Sequence, residues 1–144
     1  MLLYRDAQLR PNIFFWNGPI PADRLEMWLG EHTLEIPDDL FEFWLRTGGG
    51  DIFESETMLG PFADADMGDD VDSVNHFHHQ RGLSSEYLIF HTGSGISAVR
   101  LSDKQYMLLN DTDYHEVKSF RSLEEWYMGW IRSEYAERYG LPAC

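Results

Sequence analysis

Three consecutive glycines, Gly48–Gly50, constrain this chain more than any other short stretch. Glycine inside a helix or strand costs roughly 0.5–1 kcal/mol relative to alanine, so a run of three marks a boundary. The flanks decide what kind. PDDLFEFWLRT (37–47) reads as a helix. Pro37 suits its opening, Asp38 and Asp39 favour the positive end of the helix dipole, and Leu40, Phe43 and Trp44 form one stripe. DIFES (51–55) and TMLGPF (57–62) follow and read as strands. A phosphate loop has the reverse order, strand then helix, and usually a lysine after its glycines. No lysine follows here, and Asp51, Glu54 and Glu56 would repel a phosphate. The glycines are expected to close a helix at positive φ and then start a sheet.

The rest of the chain divides into short elements. PADRLEMWLG (21–30) is expected to be helical, with Leu25, Trp28 and Leu29 on one face and Gly30 as the cap. DDVDSVNHFHHQRG (69–82) reads as a helix with Val71, Val74 and Phe77 spaced for one face. YLIFHT (87–92), ISAVRLS (96–102) and QYMLLND (105–111) are apolar strands, and GSG (93–95) and SDK (102–104) suit the turns of an antiparallel meander. Ser122 and Glu125 form a capping box. Leu123, Trp126, Tyr127, Trp130, Ile131 and Tyr135 continue at helical spacing and predict a helix over 122–139. Consecutive strands among helices predict an α+β fold. The expectation is one domain over 1–144, core about 12–139, with an antiparallel sheet of about four to six strands flanked by helices.

Charge narrows the partners. The formal net charge is −14, from 25 acids against 11 bases, which repels nucleic acid and anionic membrane and attracts basic proteins. From Thr47 to Gln80 there is no lysine or arginine and there are eight acids, so −8 of the −14 falls in one quarter of the chain. The candidate partner-binding residues are Glu54, Glu56, Asp64, Asp66, Asp69, Asp70 and Asp72, with Phe53 or Phe62 as apolar anchors. A merely solvated acidic face is the competing reading of the same run. The lone cysteine, Cys144, closes no internal disulfide, has no assigned role, and fits a reducing compartment. The opening MLLYRDAQLRP lacks an apolar run of signal-peptide length and no later stretch approaches a membrane span, so a cytoplasmic location is expected.

Three stretches, in order, carry a resemblance. IPDDLFEFWLRTGGGDIF (36–53) is a proline-initiated helix, a glycine turn and a strand; YLIFHTGSGISAVRLS (87–102) is strand, glycine turn, strand; VKSFRSLEEWYMGWI (117–131) leads into the closing helix. Together they resemble the SUKH superfamily, the fold shared with the fungal cell-wall synthesis regulators of the Smi/Knr type. The resemblance implies a binding protein without a catalytic motif or cofactor. Many bacterial members are cytoplasmic immunity proteins that neutralise a cognate polymorphic toxin, often a nuclease; the fungal relatives are regulatory interaction proteins. A non-enzymatic immunity protein is therefore expected, with a regulatory scaffold as the alternative. Partner contacts differ among members, so no contact residue carries over by position.

Two clusters invite chemistry. FADADMGDDVDS (62–73) has calcium-loop composition, but counted from Asp64 it places Gly68 at position 5, Asp69 at position 6 and Asn75 at position 12, each the wrong type. HFHHQRG (76–82) places His76 and His79 one turn apart, with Asp72 four residues before His76 and His78 beside them. Asp72, His76 and His79 would be the ligands of a metal-dependent hydrolase, the least favoured alternative because no HExxH pattern or cysteine ligand accompanies them. Histidines at a helix C-terminus that meet its dipole are the plainer reading, and no metal ligand is assigned. Ser94 joins two strands, not a strand and a helix, and is no nucleophile elbow.

Overall fold

The helix ahead of the glycines forms as its spacing dictates. In the computed structural model, which describes residues 1–143, α3 runs Asp38–Thr47 and buries Leu40, Phe43 and Trp44. Cys144 lies outside the described residues. Gly48 caps α3 in the left-handed region at φ 69°, with its N–H on the Trp44 carbonyl. Gly49 N–H goes to Thr47 Oγ1, and β2 (Gly50–Ile52) begins at once. Backbone packs against the run on both sides: a Cβ on Gly50 would lie 2.0 Å from the Phe15 carbonyl oxygen. The loop is a structural joint, filled by its own chain.

A test follows from the same crowding. A Cβ on Gly60 would lie 2.0 Å from the Gly48 carbonyl oxygen, whereas one on Gly30, inside a helix, meets nothing within 4 Å. Thermal melts of Gly60→Ala should therefore show a loss of about 1–3 kcal/mol. Gly30→Ala should hold or gain up to about 1 kcal/mol. Equal melting of the two variants would contradict this account of the joint.

The sheet has seven strands in sequential order, every neighbouring pair antiparallel. They are β1 (Phe14–Trp16), β2, β3 (Glu56–Met58), β4 (Tyr87–Gly93), β5 (Gly95–Arg100), β6 (Gln105–Leu109) and β7 (Glu116–Phe120). The α+β architecture is as expected; the strand number exceeds four to six. The additional strands are the two edges. β1 has only three residues, and β7 exposes its first four, so neither shows the alternation that marks a half-buried strand. In β4, β5 and β6 four successive residues are buried, which means both faces are covered there.

Helices cover those faces. α2 (Ala22–His32) buries Leu25 and Trp28; it passes Gly30 and closes at Thr33, in the left-handed region. α4 (Val71–Gln80) is held to β4 by Asn75, whose amide oxygen accepts from Ile89 N–H and whose nitrogen donates to the Ile89 carbonyl. That corrects the expected stripe: Val71 is buried, but Phe77 faces solvent and Asn75 takes the inner position.

The closing helix is continuous but carries a wide turn. α5 (Leu123–Trp126) passes through a π turn at Tyr127–Ile131 into α6 (Arg132–Tyr139). Leu123, Trp126, Tyr127, Ile131 and Tyr135 are buried and Trp130 partly so. Ser122 Oγ accepts from Glu125 N–H, as a capping box requires. The Glu125 carboxylate, however, returns to Arg121 N–H. An unanticipated helix, α1 (Leu2–Leu9), buries Leu3 and Asp6, so the core begins ahead of residue 12. Among the described residues no helix is long and apolar enough to cross a membrane.

Candidate functional site

The acidic stretch divides once it is folded. Glu54, Asp64, Asp66 and Asp72 are exposed, Asp69 is half-buried, and Glu56 and Asp70 are buried. Two of the seven candidates therefore drop out of any exposed face. Asp70 caps α4 by accepting from Ser73 N–H. Glu56 turns inward to a ring of donors. Phe53 also fails as a surface anchor: it is fully buried against Phe14, Tyr127, Tyr135 and Tyr139.

What remains on one face is a group of acids around Asp69, while Glu54 accepts from the Tyr139 hydroxyl and Asp72 meets His32. Asp51, Asp64 and Asp70 lie close enough to Asp69 that their charges, after burial itself, push the Asp69 carboxyl above its ordinary value. Among the described residues no lysine or arginine forms an ion pair with Asp51, Glu54, Asp64, Asp66, Asp69 or Asp72. Apolar groups flank these acids. Phe15 is 57% exposed and pairs across β1–β2 with Asp51, Met67 is 72% exposed, and Phe62 carries the Arg24 guanidinium 3.9 Å over its ring. The 62–73 loop itself is a turn and not a cation cradle: Asp64 accepts from Asp66 N–H at the start of a 3₁₀ turn, Ala65–Met67.

The buried counterpart is a polar chain that no local motif announced. Trp126 Nε1–H donates to Ser97 Oγ at 2.9 Å, which leaves the Ser97 hydroxyl to donate to His91 Nδ1 at 2.9 Å. His91 Nε2–H then donates to Glu56 Oε1 at 2.7 Å. The Glu56 carboxylate also accepts from Ser94 N–H, Ser94 Oγ–H and Tyr135 O–H. Burial opposes its ionisation, but these donors outweigh burial and hold the carboxyl down at about 2. Burial likewise lowers His91, which fits a neutral ring in this chain. Ser97, His91 and Glu56 have the composition of a catalytic triad. Ser97 and His91 are fully buried, and the serine hydroxyl is engaged on both sides. Its role is to tie β3, β4 and β5 to the closing helix. GSG (93–95) is the turn that closes over Glu56; a Cβ on Gly93 would come 2.6 Å from Glu56 Oε1.

The histidine cluster opens onto a cleft of about 580 Å³ between the end of α2, α4 and β4. Leu34, Val71 and Leu88 form its apolar part, and His32, Asp72, His76 and His79 its polar part. His32 bridges the two helices, with Nδ1 2.7 Å from the Trp28 carbonyl and Nε2 2.7 Å from Asp72 Oδ1. His79 Nε2 lies 2.9 Å from the Tyr87 carbonyl, an acceptor, so that nitrogen carries the proton. His78 turns elsewhere, to the Tyr114 hydroxyl, and burial lowers its basicity. Among the described residues no three histidine, cysteine or carboxylate side chains are placed to hold one metal ion. Asp72, His76 and His79 share a cleft without forming a ligand set.

In comparisons with family models, curated proteins and solved structures, nothing matches the chain at a significant level.

Proposed function

We propose that this chain is a non-enzymatic binding protein for a basic protein partner and, more specifically, an immunity protein of SUKH type that covers a cognate toxin. The observation that carries the reading is the unneutralised surface of Asp51, Glu54, Asp64, Asp66 and Asp69, bordered by exposed Phe15, Phe62 and Met67. Like charges held together on a folded surface oppose folding slightly. A basic partner relieves that repulsion, which steers its approach, while the apolar groups supply contact energy. The order of helix, glycine joint, strand, later glycine turn and closing helix supports the family reading.

The expected signature is kinetic. With the captured partner, reversing Asp64, Asp66 and Asp69 to lysine should lower the association rate by about tenfold or more at low salt. The difference between variant and wild type should shrink as salt rises. Stopped-flow association against ionic strength reads both. A rate that neither salt nor the reversals change would remove the acidic surface from the account.

A further inference from the structure

The cleft between α2, α4 and β4 has a chemistry distinct from the open acidic surface. We infer that it seats an arginine side chain of the partner, the aliphatic stem against Leu34, Val71 and Leu88 and the guanidinium at Asp72 and His79. The inference rests on the reading of a basic partner and names what that partner inserts.

The donor and acceptor inventory points to this class. Because His79 Nε2–H is held by the Tyr87 carbonyl, the neutral ring presents Nδ1 as an acceptor. One Asp72 oxygen takes His32; among the described residues the other has no hydrogen-bond partner. His76 is exposed and adds a further ring nitrogen that accepts when neutral. The cleft thus offers acceptors above an apolar base, with no lysine or arginine in its lining. A group that is all donors at one end and hydrocarbon along its length matches both parts, and a guanidinium on a propyl stem is that group. A carboxylate or phosphate would meet the Asp72 carboxylate and find no lysine or arginine in the lining. A wholly apolar ligand would leave the acceptors desolvated and unpaired.

The test uses butylguanidinium as the probe and backbone amide NMR of the intact protein as the readout. Saturable shifts are expected at 32–34 and 71–79. Asp72→Asn should weaken the binding about tenfold, one charge-assisted hydrogen bond's worth. Glu134→Gln, an exposed acid outside both the cleft and the acidic surface, should leave it unchanged. Guanidinium without the stem should bind more weakly, and butyrate should give no shifts there. Each variant's own spectrum reports that it is folded. The inference is overturned if the shifts fail to saturate, spread evenly over the acidic surface, or survive Asp72→Asn unchanged. If the surface still captures a basic partner while butylguanidinium leaves these residues unshifted, the cleft fails and the acidic-surface reading stands.

Discussion

Replacing Glu56 by glutamine should lower stability by about 3 kcal/mol, although the new side chain has the same shape. Every group around the carboxylate is a donor: His91 Nε2, the Ser94 amide and hydroxyl, and the Tyr135 hydroxyl. An amide offers a single neutral oxygen to these donors and forces the Ser94 and Tyr135 hydroxyls to turn and accept, so the charge-assisted hydrogen bonds are lost. The pH dependence is the sharper signature. A carboxyl held at about 2 contributes stability that is complete above its unfolded value near 4.5 and is lost as pH falls through that window. The shift corresponds to roughly 3 kcal/mol, appropriate here because Glu56 is only 2% exposed. His91 acts in the same direction from higher pH, since its unfolded ring takes up a proton below about 6.5 that the buried ring resists. Wild type should therefore lose stability steadily from pH 6.5 to pH 2. Glu56→Gln should start lower and lose less between pH 4.5 and 2. Parallel acid limbs for the two proteins would show that Glu56 titrates normally and that the network does not hold it ionised.

The second large loss is expected at the N-terminus. Asp6 is fully buried and accepts from Arg132 Nε at 2.7 Å and from the Tyr127 hydroxyl at 2.6 Å. Asp6→Ala removes the buried carboxylate that accepts from both Arg132 and Tyr127, which costs about 3–5 kcal/mol. In a chain of this length that lowers Tm by on the order of 10 °C. Asp6→Leu combined with Arg132→Met removes both charges and should recover most of the loss, as an apolar pair of similar volume often does. A double variant no more stable than Asp6→Ala would mean that α1 is held by something other than this pair. The contact also explains why the core extends into residues that look peripheral in the sequence. A single aspartate in LLYRDAQL gives no local sign that its partner lies 126 positions away.

How far the sequence could be read follows the same division between local and distant. α2, α3 and the closing helix were legible because proline, glycine and 3.6-residue spacing are local signals, and β4 to β6 because their apolar runs are broken by turn residues. The edges β1 and β7 were not, being too short or too exposed to show a period. The candidate site shows the limit more clearly. Counting charge from Thr47 to Gln80 located the acidic surface, but the count could not tell an exposed acid from an inward one. Glu56 faces inward because β3 pairs Met58 with His91 of β4, putting Glu56 one pleat along on the same side. Polar residues set among apolar ones in YLIFHTG and GISAVR, His91 and Ser97, were the available signal, and only the strand register joins them to Glu56. The His32–Asp72 bridge spans 40 positions and two helices, and no spacing rule reaches that far.

The central claim is that the surface of Asp64, Asp66 and Asp69 captures a basic protein. Its most direct test is affinity capture from the source cells with tagged wild type and with the Asp→Lys variant at those three positions, both shown to melt alike. Bound proteins are eluted by rising salt and identified by mass. The account predicts one basic protein held by wild type, released between low and moderate salt, and absent from the variant. The same partner captured equally by both, or a partner that salt does not release, would contradict it.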